Sequence, residues 1–271
     1  MLSADLYRRI QANAVRGTER HWAIIPPLVA KRLRPQVVHV ADALLTMLPK
    51  SDALRLNRVI ALGHRGEASE AAIDEIVARY RAARVKRFSV LVGPGPQSKA
   101  IGRWLEARDF ARTPGYSLLV RDAAEPVPRV ETTLRVRRYG PALVDRALDI
   151  LGEAFGMAPS RREWAKAAGV SRDYEHYMAF AGTTGVAVAA LRMHGGLAWL
   201  GGAATRTRWR GRGAQSALIA ARLRSARRAG CAWAWSETSE PLRGRPDGSR
   251  RNLTRLGFEQ ACVEPIYVWE A

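Results

Sequence analysis

The stretch "TRTRWRGRGAQSALIAARLRSARRAG" (205–230) sets two glycines among arginines directly before an apolar-to-basic helical pattern. If a strand precedes it, the turn aims several backbone N–H groups at one point. The dipole of the following helix adds partial positive charge there, which is chemistry for an anion and for phosphate in particular. Gly211 and Gly213 permit a close backbone approach that a Cβ would block, and Arg210 and Arg212 add charge. Leu218, Ile219, Leu223 and Ala226 recur at helical spacing and form the apolar side of the helix. Arg222, Arg227 and Arg228 are expected near its solvent side or C-terminus, with Gly230 as the C-cap. The loop is neither a Walker A motif, since no Gly-Lys-Ser/Thr follows, nor a G-x-G-x-x-G dinucleotide fingerprint. The same arginines could form a nucleic-acid arm, but such an arm does not need a strand before it and a helix after it.

The elements around the loop supply that setting. "ETTLRVRRYG" (131–140) alternates like a strand, "PALVDRALDILGEAFG" (141–156) opens a helix with proline, and a short helix is expected near "SRREWAKAAG" (160–169). Three strand-like runs follow, "HYMAFAG" (176–182), "GVAVAALRM" (185–193) and "LAWLGGAAT" (197–205), separated by glycine-containing turns. After the loop and its helix come a strand at "CAWAWSET" (231–238), a short helix at "SRRNLTRLGF" (249–258) and a last strand at "CVEPIYVWE" (262–270).

The proline-containing stretch "RDAAEPVPR" (121–129) breaks the periodicity and reads as a linker. Before it the same order recurs: strand "NRVIALG" (57–63), helix "SEAAIDEIVARYRAA" (69–83) begun by Ser69, strand "RFSVLVG" (87–93), helix "SKAIGRWLEARDF" (98–110), strand "GYSLLVRD" (115–122). Asp109-Phe110 lines up with Gly257-Phe258, and Val120 with Val268, at one common offset. One α/β unit therefore occurs twice.

The second half resembles the GNAT superfamily of N-acetyltransferases, whose acyl-CoA-binding motif is written Arg/Gln-x-x-Gly-x-Gly/Ala. Two registers fit. Arg208-Trp-Arg-Gly211-Arg-Gly213 matches the pattern in full, whereas Arg210-Gly-Arg-Gly213-Ala-Gln215 puts glutamine in the last small-residue slot. The spacing from the preceding strand favours the second. "ETSEPLRGRPDGSRRN" and the Asn252…Gly257-Phe258 ending resemble the family's terminal segment. The resemblance covers most of 131–271 and implies two tandem GNAT-like domains of α/β (α+β) class, each a mixed, mostly antiparallel sheet flanked by helices. Residues 1–125 form the degenerate copy and 126–271 the acyl-CoA-binding one. The degenerate junction "LGHRGEASEAA" (62–72) lacks the motif and carries acids where a phosphate would sit, so no productive CoA binding is expected there.

The resemblance also implies the site. The pyrophosphate would lie on the amides of Arg210, Gly211, Arg212, Gly213, Ala214 and Gln215, and the pantetheine along Ala203, Ala204 and Thr205, with Asn252 beside it. A backbone N–H near Ala203 would hold the thioester oxyanion. Direct transfer to an amine needs a base for the amine proton and a donor for the thiolate. The family's usual tyrosine position holds Leu253, so the donor must come from elsewhere. Glu237 is the base candidate, and Ser249 and Tyr267 are donor candidates. Each has another possible role: Glu237 in an ion pair, Ser249 as a helix cap, Tyr267 in the core. Tyr174, Glu175 and Tyr177 are candidates for the acceptor mouth; His176 and His194 are read as structural, and the tryptophans as packing or cleft walls.

Composition narrows the class. The net charge is +19, but only Lys31, Lys50, Lys86, Lys99 and Lys166 are lysines, and the arginines are spread along the whole chain. This speaks weakly for a polyanionic partner. No apolar run reaches a membrane span, the N-terminus lacks a signal-peptide h-region, and Cys231 and Cys262 show no metal-ligand spacing. The expectation is a cytoplasmic N-acetyltransferase using acetyl-CoA and no metal, with a small-molecule or peptide amine as acceptor. Two alternatives are a basic nucleic-acid-binding protein and a CoA-binding GNAT fold without catalysis.

Overall fold

A computed structural model describes residues 3–242 and 247–271. Part of the proline-containing loop ahead of Asn252, residues 243–246, lies outside the described residues. The chain opens with α1 (Ala4–Ala23), α2 (Pro27–Leu33), β1 (Gln36–Val40) and β2 (Ala43–Met47). The first repeat follows: β3 (Arg58–Ile60), α3 (Glu70–Ala82), β4 (Arg87–Leu91), α4 (Ser98–Glu106) and β5 (Ala111–Asp122). Then come β6 (Arg135–Arg138), α5 (Val144–Phe155), α6 (Pro159–Val170), β7 (Glu175–Ala181) and β8 (Thr184–His194). The second repeat is β9 (Leu197–Thr205), α7 (Ala214–Arg228), β10 (Trp233–Ser239), α8 (Gly248–Arg255) and β11 (Glu259–Glu270).

All eleven strands form one mixed sheet in the order β1-β2-β3-β4-β11-β5-β10-β9-β8-β7-β6. Every pairing is antiparallel except β3 with β4 and β9 with β10. β5 and β11 are each 12 residues long, and their ends share the offset of the sequence repeat. Each lies across the middle of the sheet: β5 pairs with β10 of the second repeat, and β11 with β4 of the first. The terminal strand of either half thus completes the other half's edge.

Both parallel pairs are brief. β9 and β10 are joined only from Leu197 to Trp199 against Trp233 to Trp235, then diverge. Beyond Trp199, β9 keeps β8 on one side and has a free edge on the other. Backbone N–H and C=O groups on such an edge can pair with an extended ligand.

Helices α7 and α8 cover one face of the second half through Leu218, Ile219, Leu223, Leu253 and Phe258. On the other face, α5 packs through Ala147 and Ile150, and α1 through Leu6, Tyr7 and Ile10. Trp164 of α6 donates to His21 O (3.0 Å) and packs on Trp22, so α1 is fastened to the second half. The expected strands and helices from residue 57 onward are present, with shifted ends. "RDAAEPVPR" begins inside β5, where Arg121 donates to Pro126 O (2.8 Å) and ties down the chain that follows.

Candidate active site

Helix α7 starts at a backbone cradle. Gly213 is its N-cap, with φ 76 and no side-chain cap. The N–H groups from Gly211 to Ser216 find no protein acceptor among the described residues. Such unpaired first-turn donors call for an anion. A Cβ at Gly213 would lie 3.1 Å from Thr132 Cβ and 3.3 Å from Glu131 O, so glycine is required by both conformation and space. Four contacts hold the loop open. Thr132 Oγ1 donates to Arg212 O (2.9 Å), the Arg212 guanidinium stacks on Trp209, and Glu153 accepts from Thr207 N (3.0 Å) and Arg206 Nη1 (2.6 Å).

The matching turn of the first repeat is closed from within. Asp42 accepts from the amides of Gly63 and Arg65, both at 2.8 Å, Gln97 accepts from Ala68, and Ser69 Oγ caps Ala72 N. Those donors are already spent on side chains.

The free edge of β9 is shaped by a bulge. Ala190 pairs with Gly201 and Val188 with Ala204, so Gly202 (φ 58) and Ala203 together oppose Ala189. Bulges re-aim backbone groups. Beneath it lies Arg222 of α7, only 2% exposed, donating to Leu218 O (3.1 Å), Ala190 O (3.0 Å) and Gly201 O (3.3 Å). This corrects the expectation that Arg222 faces solvent. Burial lowers its pKa. The clue was in the sequence: position 222 falls on the apolar stripe, three residues after Ile219 and four before Ala226.

Three expected residues meet at the start of α8. Gln215 Nε2 donates to Ser249 Oγ (2.9 Å), and Asn252 Nδ2 donates to Gln215 Oε1 (2.8 Å). Gln215, which breaks the small-residue pattern, joins α7 to α8. Leu253 is buried in the core between them.

On the opposite face, at the divergence of β9 and β10, lies a cavity of about 710 Å³. Glu237, Trp235, Trp199, Gly202 and Arg192 line it from the sheet, and Tyr174 and His176 line it from the start of β7. Helix α1 roofs it with Gln11, Ala14 and His21; burial pushes the His21 imidazole down to about 4, so it is neutral near pH 7. Glu237 has no ion-pair partner among the described residues. Glu175 and Tyr177 do not reach the cavity. Tyr177 packs on the α7 face and donates to Glu175, which also accepts from Ser225 of α7 (2.8 Å).

Tyr267 is likewise not brought to the site. Tyr267 lies three residues after Glu264 on β11, so it points to the opposite face, into the core of the first half, its hydroxyl against Gly102 of α4. The residue that β11 does send to the cavity is Glu264, which has no precedent in the sequence motifs. It is 3% exposed and accepts from Tyr7 OH (2.7 Å) and Gln11 Nε2 (2.8 Å). Burial, reinforced by the charge of Glu237, pushes its carboxyl up to about 7 from an ordinary 4.5. Between those values the folded protein keeps a proton that the unfolded chain has lost, so stability falls as pH rises through the window. The full effect is on the order of 3 kcal/mol by pH 8. Glu264→Gln keeps an acceptor for both partners. It is expected to flatten the decline in melting temperature between pH 5 and 8 and to raise the value at pH 8. An unchanged slope would place the titrating group elsewhere.

Among the described residues no cluster of three or more His, Cys, Asp and Glu is arranged to hold a metal, and no helix is long and apolar enough to cross a membrane. Cys231 and Cys262 are free thiols.

No protein-family model and no curated protein matches the sequence. Solved structures do match the fold. A GCN5-related N-acetyltransferase from Kribbella flavida superposes with a TM-score of 0.62 at 16% identity, over 89% of this chain and 93% of that one. Another, from Sphaerobacter thermophilus, gives 0.62 at 17% identity over 85% and 81% of the two chains. A tandem GNAT protein from the clavulanic acid biosynthesis pathway gives 0.62 at 16% identity over 85% and 79%. The chain has the tandem GNAT fold, with both units in one sheet.

Proposed function

We propose that this protein is an N-acetyltransferase that moves an acetyl group from acetyl-CoA directly to a primary amine of a small molecule or peptide. The observation that carries this reading is the gap between β9 and β10. On one side it meets the uncapped, glycine-opened start of α7, and on the other a cavity holding an unpaired carboxylate, Glu237. In this reading residues 126–271 build the donor site and residues 1–125 close the acceptor cavity through α1. The free cysteines and the donor suit the cytoplasm.

The amides from Gly211 to Ser216 bind the pyrophosphate, with Arg210 and Arg212 adding charge. The free edge of β9 at Ala203, Ala204 and Thr205 pairs with the extended pantetheine, and Asn252 lies beside it. The N–H near Ala203, re-aimed by the bulge, stabilises the oxyanion that forms when the amine attacks the thioester carbonyl. Glu237 takes the amine proton. Ser249 passes a proton to the departing thiolate while taking one from solvent; its oxygen already accepts from Gln215, so its own hydrogen is left to donate. Tyr267, buried on the far face, has no part in this scheme.

Acetyl-CoA is expected to raise the melting temperature saturably, at low-micromolar concentrations. Gly213→Glu should abolish the shift, but position 213 is sterically committed, so Arg210→Glu, at an exposed site, is the cleaner variant. It should weaken the shift about tenfold in ligand concentration while leaving the unliganded melt unchanged. No shift in the parent protein at any acetyl-CoA concentration would sink the proposal.

A further inference from the structure

Arg192 of β8 projects into the cavity with no carboxylate in ion-pair contact among the described residues; the charges of Glu237 and Asp173 act on it from farther away. Helix α1 crosses it at Gly17, where a Cβ would lie 1.6 Å from Arg192 Nη1, so only glycine leaves room for the guanidinium. Arg192 Nη2 donates to Asn13 O (3.0 Å) and Asn13 Oδ1 (3.1 Å), and the guanidinium lies 5.2 Å from the centre of the Trp199 ring. Tyr174 is a close neighbour. No carboxylate pairs with it among the described residues. A half-buried arginine held this way, hydrogen-bonded to neutral partners, is a site for an incoming anion.

Its position relative to Glu237 follows from strand register. Arg192 is opposite Trp199, Trp199 is opposite Trp235, and Glu237 is two residues beyond Trp235 on the same face. With strands ~4.8 Å apart and a rise of ~3.3 Å per residue, the two Cα atoms are about 12 Å apart. Their side chains line one cavity and form no ion pair with each other. Between them are the rings of Trp199 and Trp235, and Leu148, Leu151 and Phe155 supply further apolar wall. The other charged residues lining the cavity are Glu264, engaged by Tyr7 and Gln11, Asp52, Arg55, Arg58 and Arg87 in the first half, and Arg161 of α6.

We propose that the acceptor is a small zwitterion with an apolar body, an amine that also bears a carboxylate, and that Arg192 recognises the carboxylate while Glu237 faces the amine. This names the acceptor class and rests on the acyltransfer reading above. One guanidinium, with one nitrogen already engaged by Asn13, balances a single negative charge, which matches a carboxylate better than a phosphate dianion.

The test is calorimetric titration of the full chain, free and loaded with CoA, with two matched series: phenylalanine, phenylalaninamide and 2-phenylethylamine; leucine, leucinamide and isopentylamine. The carboxylates should bind about tenfold or more tighter than their amides and amines, the size of a charge-assisted hydrogen bond. Arg192→Gln should erase the difference with CoA affinity intact, and Arg58→Gln should preserve it. Asn13→Asp, which gives Arg192 an internal carboxylate, should erase it in a protein whose guanidinium is still present. Equal binding across each series, no binding by any member to either form, or a preference that survives in Arg192→Gln overturns the proposal. A carboxylate preference without any CoA binding would instead refute the acyltransfer reading and leave Arg192's role standing.

Discussion

Replacing Glu237 by glutamine is expected to lower kcat about 10²- to 10⁴-fold, the range in which a positioned general base contributes. The affinity for acetyl-CoA should hardly change, because the cradle at Gly211–Ser216 lies outside the cavity lining and the β9 edge offers backbone groups that the substitution leaves in place. An amine that enters protonated cannot attack until its proton is gone. Of the carboxylates lining the cavity, Glu264 is occupied by Tyr7 and Gln11 and Asp52 is exposed to solvent in the first half, which leaves Glu237 at the strand divergence. The pH dependence distinguishes a base from a merely structural acid. As pH approaches the acceptor's own pKa, the amine deprotonates unaided and the deficit of Glu237→Gln should shrink. A deficit that stays constant across that range would mean that Glu237 does something other than accept the proton.

Arg222→Met should produce the largest loss of stability. It removes the donors to Ala190 O and Gly201 O, both on half-buried residues, from a side chain that is itself sealed from water. Leaving the two carbonyls unpaired costs about 3 kcal/mol, roughly 6–12 °C in melting temperature for a chain of this size. Because those carbonyls flank the bulge at Gly202 and Ala203, KM for acetyl-CoA should rise as well, while the acceptor KM responds less. Arg222→Lys keeps one donor and should recover part of both losses. A melting temperature within a degree of the parent would mean that the bulge holds itself. An apolar replacement would then be tolerated, as happens when a buried charge is exchanged whole.

The two variants probe features that differ in how they could be read. Glu237 follows from local pattern, a carboxylate at the end of a strand leading out of the loop-helix unit. Arg222 also had a local signature, its place on the apolar stripe of α7, but arginine at a buried helix position conflicts with the ordinary rule that charges face water. Only the carbonyls at the bulge, brought in from β8 and β9, make that position favourable.

The element order from Arg58 onward, the repeat, and the phosphate-like cradle were legible in the sequence. Each rests on short-range physics: alternation, 3.6-residue periodicity, the left-handed conformation that glycine tolerates, and the spacing of strand, loop and helix. Ser69 capping Ala72 and Gly213 leaving α7 open are the two outcomes of that local chemistry in the two repeats. The cavity under α1 was not legible. Its roof, α1, buries Gln11, Asn13 and Gly17 along with its apolar residues, so its amphipathic pattern is blurred. Those residues are chosen for partners far away in the chain: Gln11 for Glu264, Asn13 and Gly17 for Arg192. Nor could periodicity show that β5 and β11 trade places at the centre of the sheet; alternation alone puts Glu264 and Tyr267 on opposite faces of β11, but which of those faces meets the cavity depends on what packs against each. Register and burial of that kind are settled by which strands pair, and pairing is decided by the whole core at once.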